Sequence, residues 1–286
     1  MQVTQQEDLS NLIQQTQDLP SFPAAVQRAT ALANDPKASA ADLAKLIEVD
    51  PVLTARILRV TNSAFYGLSR QISTAKEAVV VLGFSAVRSL AVAVSTMKMF
   101  KVSNSRLFNH RRFWLHSTCC ALVAQQLCRL GRLPWADEVF TAGLLHDIGK
   151  IVLHQYANES FLSLLSTQKA EKKLDIETER KSINTDHAQV GQQLAERWRL
   201  PVALCEAIGL HHQPIGAGEH TRFAILCGLA DYICTANEIS SVVNGGRPPD
   251  LSHFLPLLEV SPRIIREVNA GFPGILKEAR SLIKTT

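Results

Sequence analysis

Residues Thr141 to Tyr156 read TAGLLHDIGKIVLHQY, a histidine, an aspartate and a lysine set inside an apolar run. Leu144, Leu145, Ile148, Ile151, Val152 and Leu153 surround His146, Asp147 and Lys150. A helix this oily buries most of its faces, and a buried charge is costly unless it is paired or bound to metal. Successive helical residues lie about 100° apart, so His146 and Asp147 are expected to share one crevice. Lys150 stands one turn on, at its edge.

Outward from this stretch the signals stay helical. Before it, RRFWLHSTCCALVAQQLCRLG ends at Gly131, and Pro134 opens the connection. After it come the two-signed charge run STQKAEKKLDIETERKS, expected as a solvated helix pair or loop, and then DHAQVGQQLAERWRL. Pro201 starts VALCEAIGLHH, FAILCGLADYICTAN follows, and the last elements, through PRIIREVNAGFPGILKEARSLIK, read as packing helices. In the front half, Pro23 suits a first helical position, Ser39 and Asp42 resemble a capping box, and Pro51 starts VLTARILRVTNSAFY. Ser73 or Thr74 caps AKEAVVVLGF, whose VVV is expected in a short buried helix because Gly83 and helices flank it. The tract Lys101 to Asn109 is the expected boundary between two lobes, 1–104 and 105–286. The expected fold is all-α, with two helical lobes.

Composition narrows the function. Of 286 residues, 46% are hydrophobic and 20% charged, as in an ordinary globular protein, and a net charge of +4 is too mild to make nucleic acid the default partner. The polar start MQVTQQEDLSNLIQQ carries no signal peptide, and the most apolar segment, Ala78 to Val94, is broken by Ser85 and Arg88, so no membrane partner is expected. The six cysteines lack metal-site spacing and read as reduced, buried thiols of a cytoplasmic protein.

A single buried histidine is usually a satisfied core residue, but here there is a set. His116 lies in an apolar helix, His187 opens another, His211 and His212 end a third, and Asp231 sits within ILCGLADYIC. With His146 and Asp147 they offer seven candidate ligands of imidazole and carboxylate type. That donor set suits divalent transition metal (zinc, iron, manganese, nickel or cobalt) and lacks the thiolates of structural zinc. Seven ligands exceed one tetrahedral ion and suit two adjacent ions with Asp147 as a bridge, an arrangement fit for in-line attack on phosphorus. Asp186 reads as a helix N-cap, and His110, His154, His220 and His253 as surface residues.

The HD pair with lysine three residues on, the upstream histidine, and the downstream histidine, HH and aspartate resemble the HD superfamily of metal-dependent phosphohydrolases. LPSFPAAVQRATALANDPKASAADLAKLIEVDPVLTARILRVTNSAFYG and ISTAKEAVVVLGFSAVRSLAVA resemble the front half of the HDOD family. LLHDIGK, ERKSINTDHAQVGQQLAERWRLPVALCEAIGLHH and LAD resemble its back half. The likeness runs from about Leu19 to Ile239 and implies an all-helical fold, a bacterial cytoplasmic setting and a signalling or regulatory role. Many members act without catalysis, as protein-interaction or output modules. Compared with the related HD-GYP phosphodiesterases, His116, His146, Asp147, Lys150, His187, His211, His212 and Asp231 all have counterparts. Arg112 replaces a glutamate, which argues against a third metal. HHQP is followed by IGAGEHTRF with no GYP motif, which leaves cyclic dinucleotide specificity unsupported.

In a catalytic site so composed, His116, His146, Asp147 and Asp231 would hold one ion, and His187, His211, His212 and the Asp147 bridge the second. The ions would acidify a water to serve as nucleophile, and Lys150 would act as a point charge on phosphate. The ligand would be a phosphoester or nucleotide, and a signalling protein the partner. Two other readings stay open: a non-catalytic regulatory module with a structural metal, and nucleotide binding without turnover. An enzyme would keep an open coordination position and a cleft, whereas a structural metal would be closed off.

Overall fold

Helix ends decide the front half. Ser39 accepts from the Asp42 amide, and Asp42 answers through the Ser39 amide, so a complete capping box starts a helix. Asp50 accepts from the amides of Val52 and Leu53, with Pro51 already at the right φ for a first helical residue. Thr74, rather than Ser73, caps the next helix by accepting from Glu77. Gly83, at φ 90, ends that helix and begins another, a turn that favours glycine over any side chain.

The computed structural model describes residues 8–22, 24–32, 38–63, 66–100, 105–171, 176–242, 250 and 252–284. Pro23 and residues 101–104 of the expected lobe boundary lie outside them. The front helices are α1 (Leu12–Gln15), α2 (Ala24–Ala31), α3 (Ala40–Glu48), α4 (Pro51–Thr61), α5 (Ala75–Leu82) and α6 (Phe84–Met99). The back helices are α7 (His110–Leu130), α8 (Ala136–Leu145), α9 (Ile148–Tyr156), α10 (Asn158–Glu171), α11 (Ile176–Ile183) and α12 (His187–Arg197). They continue through α13 (Val202–Leu210), α14 (Thr221–Ala236), α15 (Leu255–Leu258) and α16 (Pro262–Lys284). No strand occurs among the described residues, so the fold is all-α. No helix among them is long and apolar enough to cross a membrane.

The axis of the back half is α7, whose buried residues run from Phe113 to Cys128 and which packs against α8, α14 and α16. The long α16 therefore serves packing, with Val268, Phe272 and Ala279 buried. The two halves meet where α6 lies on α8. The chain start also crosses over: Arg197 of α12 donates to the carbonyls of Ile13 and Thr16, and Gln193 to that of Ser10.

Three local expectations need correction. His146 and Asp147 do not share one helix face: His146 is the C-cap of α8 and Asp147 the N-cap of α9. The break arises because His146 Nδ1 bonds back to the Gly143 carbonyl while the Lys150 amide opens α9 on the Asp147 carbonyl. The VVV run is helical but only partly buried: Val79 lies in the core, while Val80 is 70% exposed on the outer face of α5. The two-signed charge run is not wholly solvated, since Glu179 of α11 is buried.

One close approach positions the site. Beside Gly149 in α9, an added Cβ would collide with the His187 carbonyl oxygen and fall 2.8 Å from the Gly191 amide nitrogen. Only glycine lets α9 and α12 touch there, and that contact sets His187 beside Asp147.

Candidate metal centre

Five elements converge on one buried point. α7 supplies His116, the α8–α9 break His146 and Asp147, and the first residue of α12 His187. The end of α13 supplies His211 and His212, and α14 supplies Asp231. All seven candidate ligands come together, none more exposed than His212 at 9%.

The spacing of the donor atoms fits metal. His116 Nε2 stands 3.3 Å from His146 Nε2 and 3.3 Å from Asp231 Oδ1. Asp147 Oδ2 is 3.6 Å from His116 Nε2, while Oδ1 is 3.5 Å from His146 Nε2 and 3.3 Å from His187 Nε2. His211 Nε2 lies 3.9 Å from the same Oδ1, and His212 Nε2 lies 3.1 Å from His187 Nε2. Two ligands about 2.0–2.1 Å from one tetrahedral ion stand about 3.3–3.4 Å apart, a spacing that three of these seven separations match and all but the 3.9 Å one approach. Asp147 faces both groups of histidines. Its Oδ1 and His211 Nε2 are buried without a hydrogen-bond partner among the described residues, a costly state that a cation would relieve.

The histidines are aimed from behind. His116 Nδ1 lies 2.8 Å from the Ile239 carbonyl, His146 Nδ1 2.8 Å from that of Gly143, and His211 Nδ1 2.8 Å from that of Ile208. A carbonyl can only accept, so each Nδ1 carries the proton and each Nε2 presents its lone pair inward. His187 Nδ1 instead donates to Glu179 Oε2 at 2.7 Å, and the same oxygen accepts the His187 amide. Burial lowers the His187 pKa, but the Glu179 carboxylate and the facing Asp147 carboxylate together outweigh it and lift it to about 9. His212, buried and facing His187, falls to about 4. Asp147 is opposed by burial, but Lys150 and His146 hold its carboxyl well below the usual range.

Lys150 is buried rather than at the surface. Its Nζ donates to Asp147 Oδ2 at 2.8 Å and to Ser241 Oγ at 3.2 Å. Burial disfavours its charge, but the Asp147 carboxylate raises its pKa overall. Ser241 belongs to a strap, Ile239–Val242, that follows α14. Arg112 Nε donates to the Ser240 carbonyl at 2.9 Å, so the arginine at the glutamate position pins this strap. Asp186 is a cap, as expected, accepting from the Gln189 amide, and Arg180 pairs with it at 2.6 Å.

Glu179 was hidden in the charge run that reads as solvated. The signal lay in spacing: Ile176, Glu179 and Ile183 follow i, i+3, i+7, and these three are the buried residues of α11. Cys120, one turn beyond His116, also lines the site. Its sulfur is 3.5 Å from Nε2 and 3.8 Å from Nδ1 of His116, so it lies over the ring. A sulfur bound to an ion on Nε2 would stand clearly farther from Nδ1, which makes Cys120 a wall and not a donor. His154, expected at the surface, is buried and stacks on Phe108 with ring centroids 4.7 Å apart, away from the cluster. His110, His220 and His253 are partly or fully exposed.

Glu179→Gln is expected to keep the fold and weaken metal binding by about tenfold or more, the usual cost of losing a partner that orients a ligand. Competition titration against a chelating dye measures the affinity. NMR titration of the metal-free variant should show the His187 pKa moving down from about 9, and an unmoved value would remove Glu179 from this role.

The profile of the HDOD domain matches residues 19–214. An uncharacterized protein of Treponema pallidum (strain Nichols) is 23% identical over 235 residues, covering 81% of this chain and 44% of that protein. A ribonuclease Y of Thermus thermophilus is 29% identical over 134 residues, covering 47% of this chain and 17% of that enzyme. The chain thus spans less than half the length of these curated relatives. Among solved structures, an HDOD domain protein of Geobacter sulfurreducens aligns with TM-score 0.80 and 26% identity, over 96% of this chain and 97% of that one. A Shewanella amazonensis SB2B protein, provisionally called a phosphohydrolase, aligns with TM-score 0.75 and 22% identity over 98% and 99%.

Proposed function

Because the chain belongs to the HDOD family, we propose that it is a bacterial signalling protein built around a two-metal phosphohydrolase centre. His116, His146, Asp147 and Asp231 hold one ion, and His187, His211, His212 and the Asp147 bridge hold the second. The observation that carries this reading is Asp147 Oδ1, a buried carboxylate oxygen with no hydrogen-bond partner among the described residues, facing three imidazole nitrogens. The all-nitrogen and oxygen donor set suits iron, manganese, zinc or nickel. Such ions, when bound, supply Lewis acidity and a water-derived nucleophile. The part of this chain is to orient the donors, exclude bulk water and place the Lys150 ammonium beside Asp147, where it would neutralise a phosphate oxygen. The relation to ribonuclease Y supports phosphodiester chemistry, and the six buried, unpaired cysteines support a reducing, cytoplasmic setting. The lobes at 1–104 and 105–286 would divide partner binding from the metal site.

A second reading has its own observation. The Ser241 hydroxyl occupies a donor of Lys150 that a phosphate oxygen would need, and the strap buries that side of the site. A closed centre of this kind suits a regulatory module that engages a signalling partner and uses metal for structure.

Elemental analysis of freshly purified protein, beside a panel of phosphoesters, separates the two. Lys150→Ala is expected to keep the metal, because a lysine ammonium is no ligand. It should slow hydrolysis by about tenfold or more through loss of charge stabilisation in the transition state. A wild type that holds two ions yet cleaves nothing under any metal loading would leave the structural-metal reading standing.

A further inference from the structure

Away from the metal centre, a cavity of about 620 Å³ opens where the front helices meet the end of α12. Gln27 and Arg28 of α2 form one wall, and Arg197, Trp198 and Arg199 the other. Phe22 packs on Trp198 at the back, with ring centroids 4.4 Å apart. Three arginines line this space, and among the described residues no acidic one does. The side chains of Arg28 and Arg199 have no hydrogen bond or ion pair among the described residues, and the Arg199 amide is used in the turn that ends α12. Arg197 spends Nη1 on the Ile13 and Thr16 carbonyls, which fixes the group and leaves its other N–H donors unassigned.

The geometry points to a second binding site here, for a small anion bearing a diphosphate, such as a nucleoside diphosphate. Clustered cations without a counter-charge repel one another, and an anion in their midst relieves that repulsion. Guanidinium forks match phosphate oxygens in pairs, and arginines on two facing walls suit an anion whose charge spans two linked phosphates. The volume falls within the ordinary range for small-molecule sites, about 300–1,000 Å³, and leaves room for more than the phosphates alone. Trp198 and Phe22 give the remainder an apolar back wall, since the indole N–H is already committed to the Pro20 carbonyl. A ligand held here touches both halves of the chain.

Calorimetric titration of the full chain with ADP, pyrophosphate, orthophosphate and adenosine tests the site. ADP and pyrophosphate should bind, orthophosphate should bind at least about tenfold more weakly, and adenosine should not bind. Arg28→Glu and Arg199→Glu, both exposed positions, should each weaken ADP binding by about tenfold or more while leaving the melting temperature in place. The same titration on wild type freed of metal by a chelator should be unchanged, which keeps this site independent of the metal centre. Absence of binding, undiminished binding by both arginine variants, orthophosphate binding as tightly as pyrophosphate, or loss of binding in the chelator-treated wild type would each overturn the assignment.

Discussion

Asp147→Ala is expected to strip the protein of most of its metal. The carboxylate is the one group within reach of both sets of histidines, with Oδ2 toward His116 and Oδ1 toward His146, His187 and His211. Removing it takes a donor from each ion at once and leaves four buried imidazoles around the gap. It also leaves the Lys150 ammonium buried with only the Ser241 hydroxyl, and breaking such a pair typically costs about 3–5 kcal/mol. Metal content by elemental analysis and denaturant unfolding are the two measurements. Asp147→Asn separates them, since the amide keeps volume and hydrogen bonding but is a poor bridge. Full metal occupancy in Asp147→Asn would end the two-ion reading.

Gly149→Ala should also be damaging, though it removes no candidate ligand. The added carbon meets the His187 carbonyl and the Gly191 amide, and both obstacles are backbone. No side chain can swing aside, so α9 must lift from α12. Overpacking of this kind typically costs about 1–3 kcal/mol, occasionally more, and a collision with a fixed carbonyl oxygen belongs at the upper end. The same movement separates Asp147 from His187, so metal should fall together with stability. A variant that melts with wild type and retains both ions would show that the two helices can part without consequence.

Much of this architecture was legible in the sequence for identifiable reasons. Ser39, Thr74 and Asp186 start helices through local hydrogen bonds that span three residues, and local chemistry is what a linear sequence displays. The seven candidate ligands stood out because histidine and aspartate are expensive among leucines and isoleucines. Glu179 did not stand out, because its neighbours are themselves charged and its partner His187 lies eight residues away. The break between α8 and α9 was also hidden: no proline or glycine sits at it, and it depends on which way a histidine side chain turns. The contact of Lys150 with Ser241 was hidden as well, because the two lie 91 residues apart in the chain.

His146 and His211 each close the helix that carries them, by bonding to a carbonyl three residues back that would otherwise be unmet at a helix end. One bond thus serves two purposes, finishing a helix and fixing an imidazole. In a descendant that stopped binding metal, the first purpose would persist after the second had lapsed. Selection for stability alone would then preserve these two histidines, so their survival in a lineage is a poor marker of a living centre.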